Sequence, residues 1–237
     1  MGQLYDTHYH LDLQKDHAAA IREIENNQIY TIAVTNLPDL YRKETAEINS
    51  KYIRIALGFH PELIHKYQKQ IPLMWELLPK AKYIGEVGLD FVDKTHQREQ
   101  IEFFSELIER CRYDSSKIIT IHSRKAVRNV LDIIGNNFGF LPILHWFTGS
   151  KEELIEAVNK GCYISVNGSM IRSKRFQSIL PFIPHERLLL ETDSPFTYSQ
   201  VTYSNTLSVI KSTLETSVAC VDLWDNFRCI LTKHQKI

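Results

Sequence analysis

The sequence predicts a (β/α)8 barrel, and three observations support that fold class. Eight short apolar runs rich in β-branched residues are spaced along the chain, and stretches with helical periodicity separate them. The runs are continuously apolar rather than alternating, which is typical of parallel strands buried on both faces. Parallel strands need crossover helices, and eight such units close into a barrel. A chain of 237 residues is long enough for one barrel.

The predicted strands are the eight apolar runs. They cover residues 3–8, 29–35, 52–58, 82–87, 118–122, 141–145, 162–166 and 188–191. One intervening stretch has apolar residues at intervals of three and four, which predicts a helix with one buried face. These residues are Ile101, Phe104, Leu107, Ile108 and Cys111. Another helix is predicted to begin at Ser150, because Glu153 stands three residues further on, as in a capping box.

The composition of the chain indicates which kinds of protein it can be. Lys and Arg together number 28, as do Asp and Glu, so the chain has no global positive field for extended nucleic-acid binding. The four cysteines have no CxxC spacing, which favours reduced packing residues over disulfides or a zinc knuckle. No Pro-, Gly- or Ser-rich linker interrupts the chain, so a single domain over residues 1–237 is expected. Since no signal segment or bilayer-length apolar run is found, a cytoplasmic protein without membrane contact is predicted.

Six side chains of metal-ligand type stand at or just past the C-terminal ends of the predicted strands. They are His8, His10, Glu86, His122, His145 and Asp193. Each has an ordinary explanation on its own, such as a hydrogen-bonded core histidine, but six coincidences are much less expected than one. The C-terminal strand ends of a barrel meet at one mouth, where catalytic residues lie. Mixed imidazole and carboxylate ligands suit Zn²⁺ or Mn²⁺ and tolerate Mg²⁺, so the sequence predicts a site for two such ions.

Seven segments together resemble the TatD family of metal-dependent deoxyribonucleases. They are DTHYHLD from Asp6, ALGFHPE from Ala56, IGEVGLDF from Ile84, IHSRKA from Ile121, LHWFTGS from Leu144, GCYISVNG from Gly161 and LLLETDSPF from Leu188. Their order and spacing also agree with that family. The resemblance implies a TIM barrel of the metallo-dependent hydrolase type, one or two divalent cations, and hydrolysis of DNA, often as a 3′ to 5′ exonuclease.

The resemblance also implies roles for the ligand residues at matching positions. His8 and His10 would hold one ion. His122 and His145 would hold the second ion, and Glu86 would bridge the two.

Asp193 would bind the first ion and orient or deprotonate the attacking water, so Asp193 and Glu86 are the predicted catalytic residues. His60 and Arg124 are predicted to bind substrate phosphate, His60 as a donor and Arg124 through a bidentate contact. Asp90 is expected to orient a ligand. Ordinary roles remain open for two of these residues, Arg124 as a helix-end ion pair and Asp90 as a turn residue.

The rim of the mouth and the C-terminal segment complete the sequence-based expectations. The residues expected to line the mouth are Ser165, Asn167, Trp146 and Phe147, where an aromatic ring can stack on a base. Beyond residue 196 the chain departs from the family pattern, with no matching Arg-Asn and proline element. The cleft is therefore expected to differ. Such short members resemble those of bacterial anti-phage systems of the Qat type, which implies protein partners.

The charge balance and the predicted ligands also bear on the substrate and on two rival functions. The neutral charge balance favours DNA ends or single strands over long duplex. A hydrolase of the same superfamily acting on a different ester or amide would use the same ligands, although Glu86 and the absence of an obvious lysine ligand on strand four favour the phosphodiesterase. A non-catalytic subunit of a defence complex is the other rival. Residues 218–230 are interpreted either as the helix that closes the barrel or as a partner-docking segment anchored by Trp224 and Phe227.

Overall fold

The structure, a computed structural model, describes residues 3–197 and 202–232. In these residues it has eight strands. They are Tyr5–Tyr9 (β1), Tyr30–Val34 (β2), Ile53–Ala56 (β3), Tyr83–Gly88 (β4), Ile118–His122 (β5), Leu141–His145 (β6), Tyr163–Val166 (β7) and Leu188–Leu190 (β8). Each strand falls on the apolar run that predicted it, with ends that differ by at most two residues. The (β/α)8 prediction is confirmed.

Helices alternate with these strands along the chain. They are His17–Asn26 (α1), Pro38–Glu47 (α2), Ile71–Leu77 (α3), Gln97–Cys111 (α4), Val127–Ile134 (α5), Lys151–Asn159 (α6), Gly168–Arg172 (α7), Lys174–Ile179 (α8), Tyr203–Ser217 (α9) and Leu223–Thr232 (α10). The predicted capping box is present at α6, where Ser150 and Glu153 exchange side-chain and backbone hydrogen bonds. Within the described ranges, no helix combines the length and the apolar character needed to cross a membrane.

The strands are joined in chain order by parallel pairing, in one ladder from β1 to β3 and another from β4 to β8. A parallel bridge between Leu57 and Ile84 connects the two ladders. On the opposite side, the Asp193 amide donates to the His8 carbonyl at 2.9 Å, so the chain after β8 returns to β1. All eight strands therefore present their C-terminal ends to one mouth.

A close backbone approach fixes the position of β4 at this mouth. A Cβ atom at Gly58 would lie 1.6 Å from the Thr35 carbonyl oxygen and 2.6 Å from the Glu86 amide nitrogen, so a larger residue cannot fit there. The Glu86 amide in turn donates to the Thr35 carbonyl at 3.2 Å. These contacts hold the backbone of Glu86 against the ends of β2 and β3.

The last helix, α10, packs across the N-terminal end of the barrel. The Phe227 ring stacks on Tyr5 at the start of β1, with centroids 4.2 Å apart, and is only 2% exposed. Asn226 donates to the Leu188 carbonyl at 2.8 Å, at the start of β8. Of the two interpretations of residues 218–230, the buried Phe227 ring fits the helix that closes the barrel rather than a partner-docking segment. Trp224 is half-buried beside Tyr30, so α10 is the helix that closes the barrel.

Loss of the contact between α10 and β1 is expected to destabilise the fold without changing the residues at the mouth of the barrel. Phe227→Ala removes a buried ring and should lower the free energy of unfolding by about 3–5 kcal/mol. Urea unfolding followed by circular dichroism measures the change. Val209→Ala on α9, where the side chain is 64% exposed, is the matched control and should shift the free energy by less than about 0.5 kcal/mol. Equal stability of both variants would contradict the packing role of α10.

Candidate metal centre

A pocket of about 480 Å³ opens at the mouth of the barrel. Five of the six predicted ligands line it, and His8 is buried beneath them. The predicted substrate residues His60 and Arg124 also line it, together with Trp146 and Phe196. The structure thus brings the six predicted ligands and both predicted phosphate-binding residues to one place.

Four ligand atoms form a first cluster at the base of the pocket. His10 Nε2 lies 3.4 Å from both Glu86 Oε2 and Asp193 Oδ1, and His8 Nε2 lies 3.7 Å from the same two oxygens. Ligands about 2.1 Å from a tetrahedral ion are separated from one another by about 3.4 Å. The measured distances among these atoms are therefore close to those expected between ligands of one ion.

Hydrogen bonding in the first cluster also fits a bound cation. His8 Nδ1 is 2.9 Å from Thr120 Oγ1, and a proton donated there leaves the Nε2 lone pair directed at the cluster. Burial and the nearby His145 lower the pKa of His8, which favours the neutral ring. His8 Nε2 and Asp193 Oδ1 are buried and have no hydrogen-bond partner among the described residues. Unsatisfied buried atoms of this kind cost about 1–3 kcal/mol each, and a divalent ion would satisfy both.

A second cluster forms around the other oxygen of Glu86. Glu86 Oε1 is 2.6 Å from His122 Nδ1 and 2.8 Å from His145 Nε2, and the two nitrogens are 3.3 Å apart. These are hydrogen-bond distances, shorter than the separation of about 3.4 Å between ligands of one ion. The ligand types fit a divalent ion, but an ion there would displace protons and widen these contacts.

Charge in the pocket is concentrated on Glu86 and its histidines. Burial alone would raise the pKa of Glu86, but the facing histidines His60, His122 and His145 hold it well below its usual range. Burial alone would lower the pKa of His145, yet Glu86 and Glu191 raise it to about 10. His10 likewise has a pKa well above its usual value despite burial, because Asp12, Asp193 and Glu86 surround it. In the absence of metal, His10 and His145 are therefore protonated at pH 7.

Metal loading is expected to release these protons. Binding of Zn²⁺ or Mn²⁺ at pH 7 should release protons from His10, His122 and His145, whose pKa values are all raised, and the apparent affinity should rise with pH through the neutral range. Calorimetric titration in buffers of different ionisation enthalpy counts the released protons. The exposed His185→Ala variant should release the same number. A binding heat that does not depend on the buffer would contradict the assigned protonation.

Two carboxylates that sequence reasoning missed orient the ligands. Glu191 is fully buried, and its Oε1 lies 3.6 Å from His145 Nδ1 while accepting from the Trp146 amide and from Asn167. Asp12 Oδ1 lies 3.7 Å from His10 Nδ1. A carboxylate behind a ligating histidine fixes its orientation. The signal was present in the sequence, since each carboxylate stands two residues from a predicted ligand.

The predicted substrate residues take up three different environments. His60 Nδ1 accepts from the Glu62 amide at 3.3 Å, which leaves a proton on Nε2 facing Glu86 Oε2 at 3.6 Å. Burial lowers the pKa of His60 to about 4, so the ring is neutral and can donate from Nε2. Asp90 Oδ2 is 2.8 Å from His122 Nε2, as expected for a residue that orients a ligand. The Arg124 side chain is 59% exposed and reaches Asp90 at 3.9 Å.

The residues expected to line the mouth divide into two groups. Trp146 lines the pocket, and its φ of 38° turns the chain sharply after β6. Phe147 is 3% exposed and faces a separate small cavity. The prediction that it lines the mouth is therefore wrong. Ser165 and Asn167 are fully buried, and Ser165 bonds Thr7 across the barrel. The exposed ring at the mouth is Phe196, which is 60% exposed and stands edge-on to His10 at 5.4 Å.

A barrel whose mouth gathers four histidines and two carboxylates around an open pocket is a metal-dependent hydrolase of the TIM-barrel type. The chain belongs to the TatD family, because the family model described as TatD related DNase matches residues 5–223.

Individual relatives agree with this assignment. An uncharacterized metal-dependent hydrolase, YabD of Bacillus subtilis, is 31% identical over 206 residues, which cover 81% of this chain and 80% of that protein. A 3′-5′ ssDNA/RNA exonuclease TatD of Citrobacter koseri is 35% identical over 149 residues, covering 59% of this chain and 56% of the relative. The solved structure of YjjV, a TatD homologue from Escherichia coli K12, is similar in fold, with 20% identity, a TM-score of 0.78, and coverage of 97% of this chain and 95% of that one.

Proposed function

We propose that this protein is a deoxyribonuclease that uses two divalent ions, Mg²⁺, Mn²⁺ or Zn²⁺, to hydrolyse phosphodiesters at DNA ends or in single strands, in the 3′ to 5′ direction. The observation that carries the proposal is the position of Glu86. One of its carboxylate oxygens faces His8 and His10, and the other faces His122 and His145. A carboxylate between two ligand clusters is the arrangement of a two-metal site for phosphoryl displacement.

The protein's own side chains would divide the chemistry as follows. Divalent ions would neutralise the charge that develops on the phosphate and lower the pKa of water. Asp193, at the edge of the first cluster, orients the attacking water and accepts its proton. His60 donates from Nε2 to a phosphate oxygen, and Arg124 adds a second donor from the exposed rim. No nucleophilic side chain is required.

The relatives support a nucleic-acid substrate for this site. The matched exonucleases of Citrobacter koseri and Edwardsiella piscicida bear the name 3′-5′ ssDNA/RNA exonuclease TatD, at 35% and 32% identity. The pocket is also open to solvent beside Arg124 and the exposed Phe196. A strand end with its base against an aromatic ring matches that combination.

Two rival functions have a weaker basis in the site. An amide or other ester hydrolase of the same superfamily would use the same histidines, but the bridging position on β4 holds Glu86 rather than a lysine. A non-catalytic subunit of a complex has no physical reason to keep buried ligand atoms unpaired. A role in anti-phage defence, protein partners and a single domain over residues 1–237 stay predictions.

A chelator-controlled nuclease assay tests the proposed function. Labelled single strands and duplexes are incubated with the protein after chelation and after addition of Mg²⁺, Mn²⁺ or Zn²⁺, with an amide and an ester panel in parallel. Progressive shortening of the single strand from its 3′ end, dependent on the added ion, is expected. Ion-dependent cleavage of the panel without cleavage of any nucleic acid would instead favour the rival hydrolase.

Arg124 is expected to contribute binding rather than chemistry. Arg124→Ala should raise KM for a single strand with kcat nearly unchanged, and should reduce the salt dependence of binding by about 0.7 in the log–log slope, which corresponds to one lost phosphate contact. Steady-state kinetics at several salt concentrations measure both. Arg128→Ala on α5, where the arginine is paired with Glu156, is the control. An unchanged KM and salt slope would exclude Arg124 as a phosphate ligand.

A further inference from the structure

A second depression lies next to the mouth pocket, along the loops that follow β4 and β5. It has a volume of about 560 Å³ and is lined by Phe91, Val92, Lys94, Gln97 and Lys125. None of these residues belongs to either ligand cluster. The depression presents two ammonium groups beside two apolar side chains, a combination quite different from the imidazoles and carboxylates of the metal centre.

The loops that follow β4 and β5 line both cavities. Asp90 and Arg124 line the mouth pocket, and their chain neighbours Phe91 and Lys125 line the depression. The Phe91 amide donates to the Arg124 carbonyl at 3.0 Å, which locks the two loops together. Lys125 has a φ of 57°, in the left-handed region that is uncommon for lysine. Two consecutive cations on one rigid turn therefore face adjoining cavities.

The two lysines of the depression are not neutralised by the protein. Within residues 3–197 and 202–232, no carboxylate lies within 4.0 Å of the Lys94 or Lys125 ammonium group. Some exposed cations are paired with a carboxylate, as with Arg98 and Glu102 at 2.7 Å on α4. Like charges that face one depression repel each other, and a bound polyanion would relieve that repulsion.

The apolar part of the depression adds a second kind of contact. Val92 is 51% exposed and Phe91 is half-buried, so both offer surface to a ligand. The neighbouring Asp93 is an exposed acidic residue of this loop, and its carboxylate accepts from the Thr95 amide at 2.9 Å. Cationic side chains interleaved with an aromatic ring are the usual features of surfaces that bind a single strand.

We propose that this depression binds a nucleotide that flanks the scissile bond of a single-stranded polynucleotide. Lys94 and Lys125 contact its phosphates, and Phe91 and Val92 contact its base or sugar. The inference rests on the proposed phosphodiesterase function, since the metal pocket next to it would hold the scissile phosphate. The depression would give the protein a preference for strands of several nucleotides over a compound with a single phosphodiester.

A double variant with two probes tests the subsite. Lys94→Gln with Lys125→Gln removes both charges from exposed positions, and Lys43→Gln with Lys80→Gln makes the same charge change on α2 and ahead of β4. Binding of a labelled eight-nucleotide single strand is followed by fluorescence anisotropy in chelator, where no turnover occurs. Hydrolysis of bis(p-nitrophenyl) phosphate, which spans the scissile phosphate alone, reports on the metal pocket after reloading with Mn²⁺.

The Lys94 and Lys125 variant is expected to bind the strand about tenfold more weakly at low salt. The log–log salt slope should fall by about 1.4, twice the value of about 0.7 for one phosphate contact on a single strand. Its kcat/KM on bis(p-nitrophenyl) phosphate should stay within twofold of the wild type, and the control should change neither quantity. Binding and slope equal to those of the control would overturn the subsite, as would a wild-type protein that binds no strand. Lysine-dependent binding without cleavage under any cation would leave the subsite standing and overturn the proposed function.

Discussion

Replacement of both His8 and His10 by alanine is expected to abolish hydrolysis while the barrel stays folded. Both imidazoles direct Nε2 at Glu86 Oε2 and Asp193 Oδ1, so their loss leaves two carboxylates and no nitrogen in the first cluster. Two carboxylates alone hold Zn²⁺ or Mn²⁺ poorly in competition with water. The first ion should therefore be absent, and kcat/KM should fall to the level of the chelated protein.

The fold of this variant should survive because neither histidine contributes to the apolar core. The C-terminal rim carries function, whereas the strands and the helices that cover them carry stability. Elemental analysis, circular dichroism and the nuclease assay measure ion content, fold and activity on one sample. His185→Ala is the control, since its side chain is 52% exposed. Full activity of the His8 and His10 variant without bound metal would exclude a metal-dependent mechanism at this mouth.

The strands could be predicted from the sequence because burial on both faces requires a continuous apolar run. The run at residues 118–122 and strand β5 have the same bounds for that reason. The segment that became α10 could not be settled in the same way. An amphipathic helix has the same apolar stripe whether it covers a barrel or a partner protein, and only the stacking of Phe227 on Tyr5 distinguishes the two.

Within the site, the convergence of the six predicted ligand residues could be predicted, but their hydrogen bonding could not. The C-terminal ends of all strands meet at one mouth in a barrel. His8 and Glu86 therefore come together regardless of which residues surround them. The proton on His60 Nε2 depends on the Glu62 amide that bonds Nδ1, and no sequence pattern reports that contact. Trp146 reaches the pocket while Phe147 does not, because a left-handed residue ends β6 and the strand alternation stops there.

Asp193→Asn is expected to separate chemistry from binding. The amide keeps an oxygen in the place of Oδ1 and preserves the size of the side chain, but it cannot accept a proton from water. Loss of a positioned general base lowers kcat by a factor on the order of 10² to 10⁴, or about 2.7–5.4 kcal/mol of transition-state stabilisation. KM for a single strand should change little, since a general base acts in the transition state rather than in ground-state binding.

The same variant also distinguishes a base from a ligand. If Asp193 acted on the reaction solely by holding the first ion, Asp193→Asn would lose that ion, and activity would return as more Mn²⁺ is added. If Asp193 accepts the proton, kcat stays low even when excess Mn²⁺ brings the ion content to the wild-type value. Asp132→Asn on α5, where the carboxylate is 64% exposed, is the control and should keep full activity. The base assignment therefore depends on a low kcat measured with the ion bound, because a low kcat alone is equally expected from a damaged metal site.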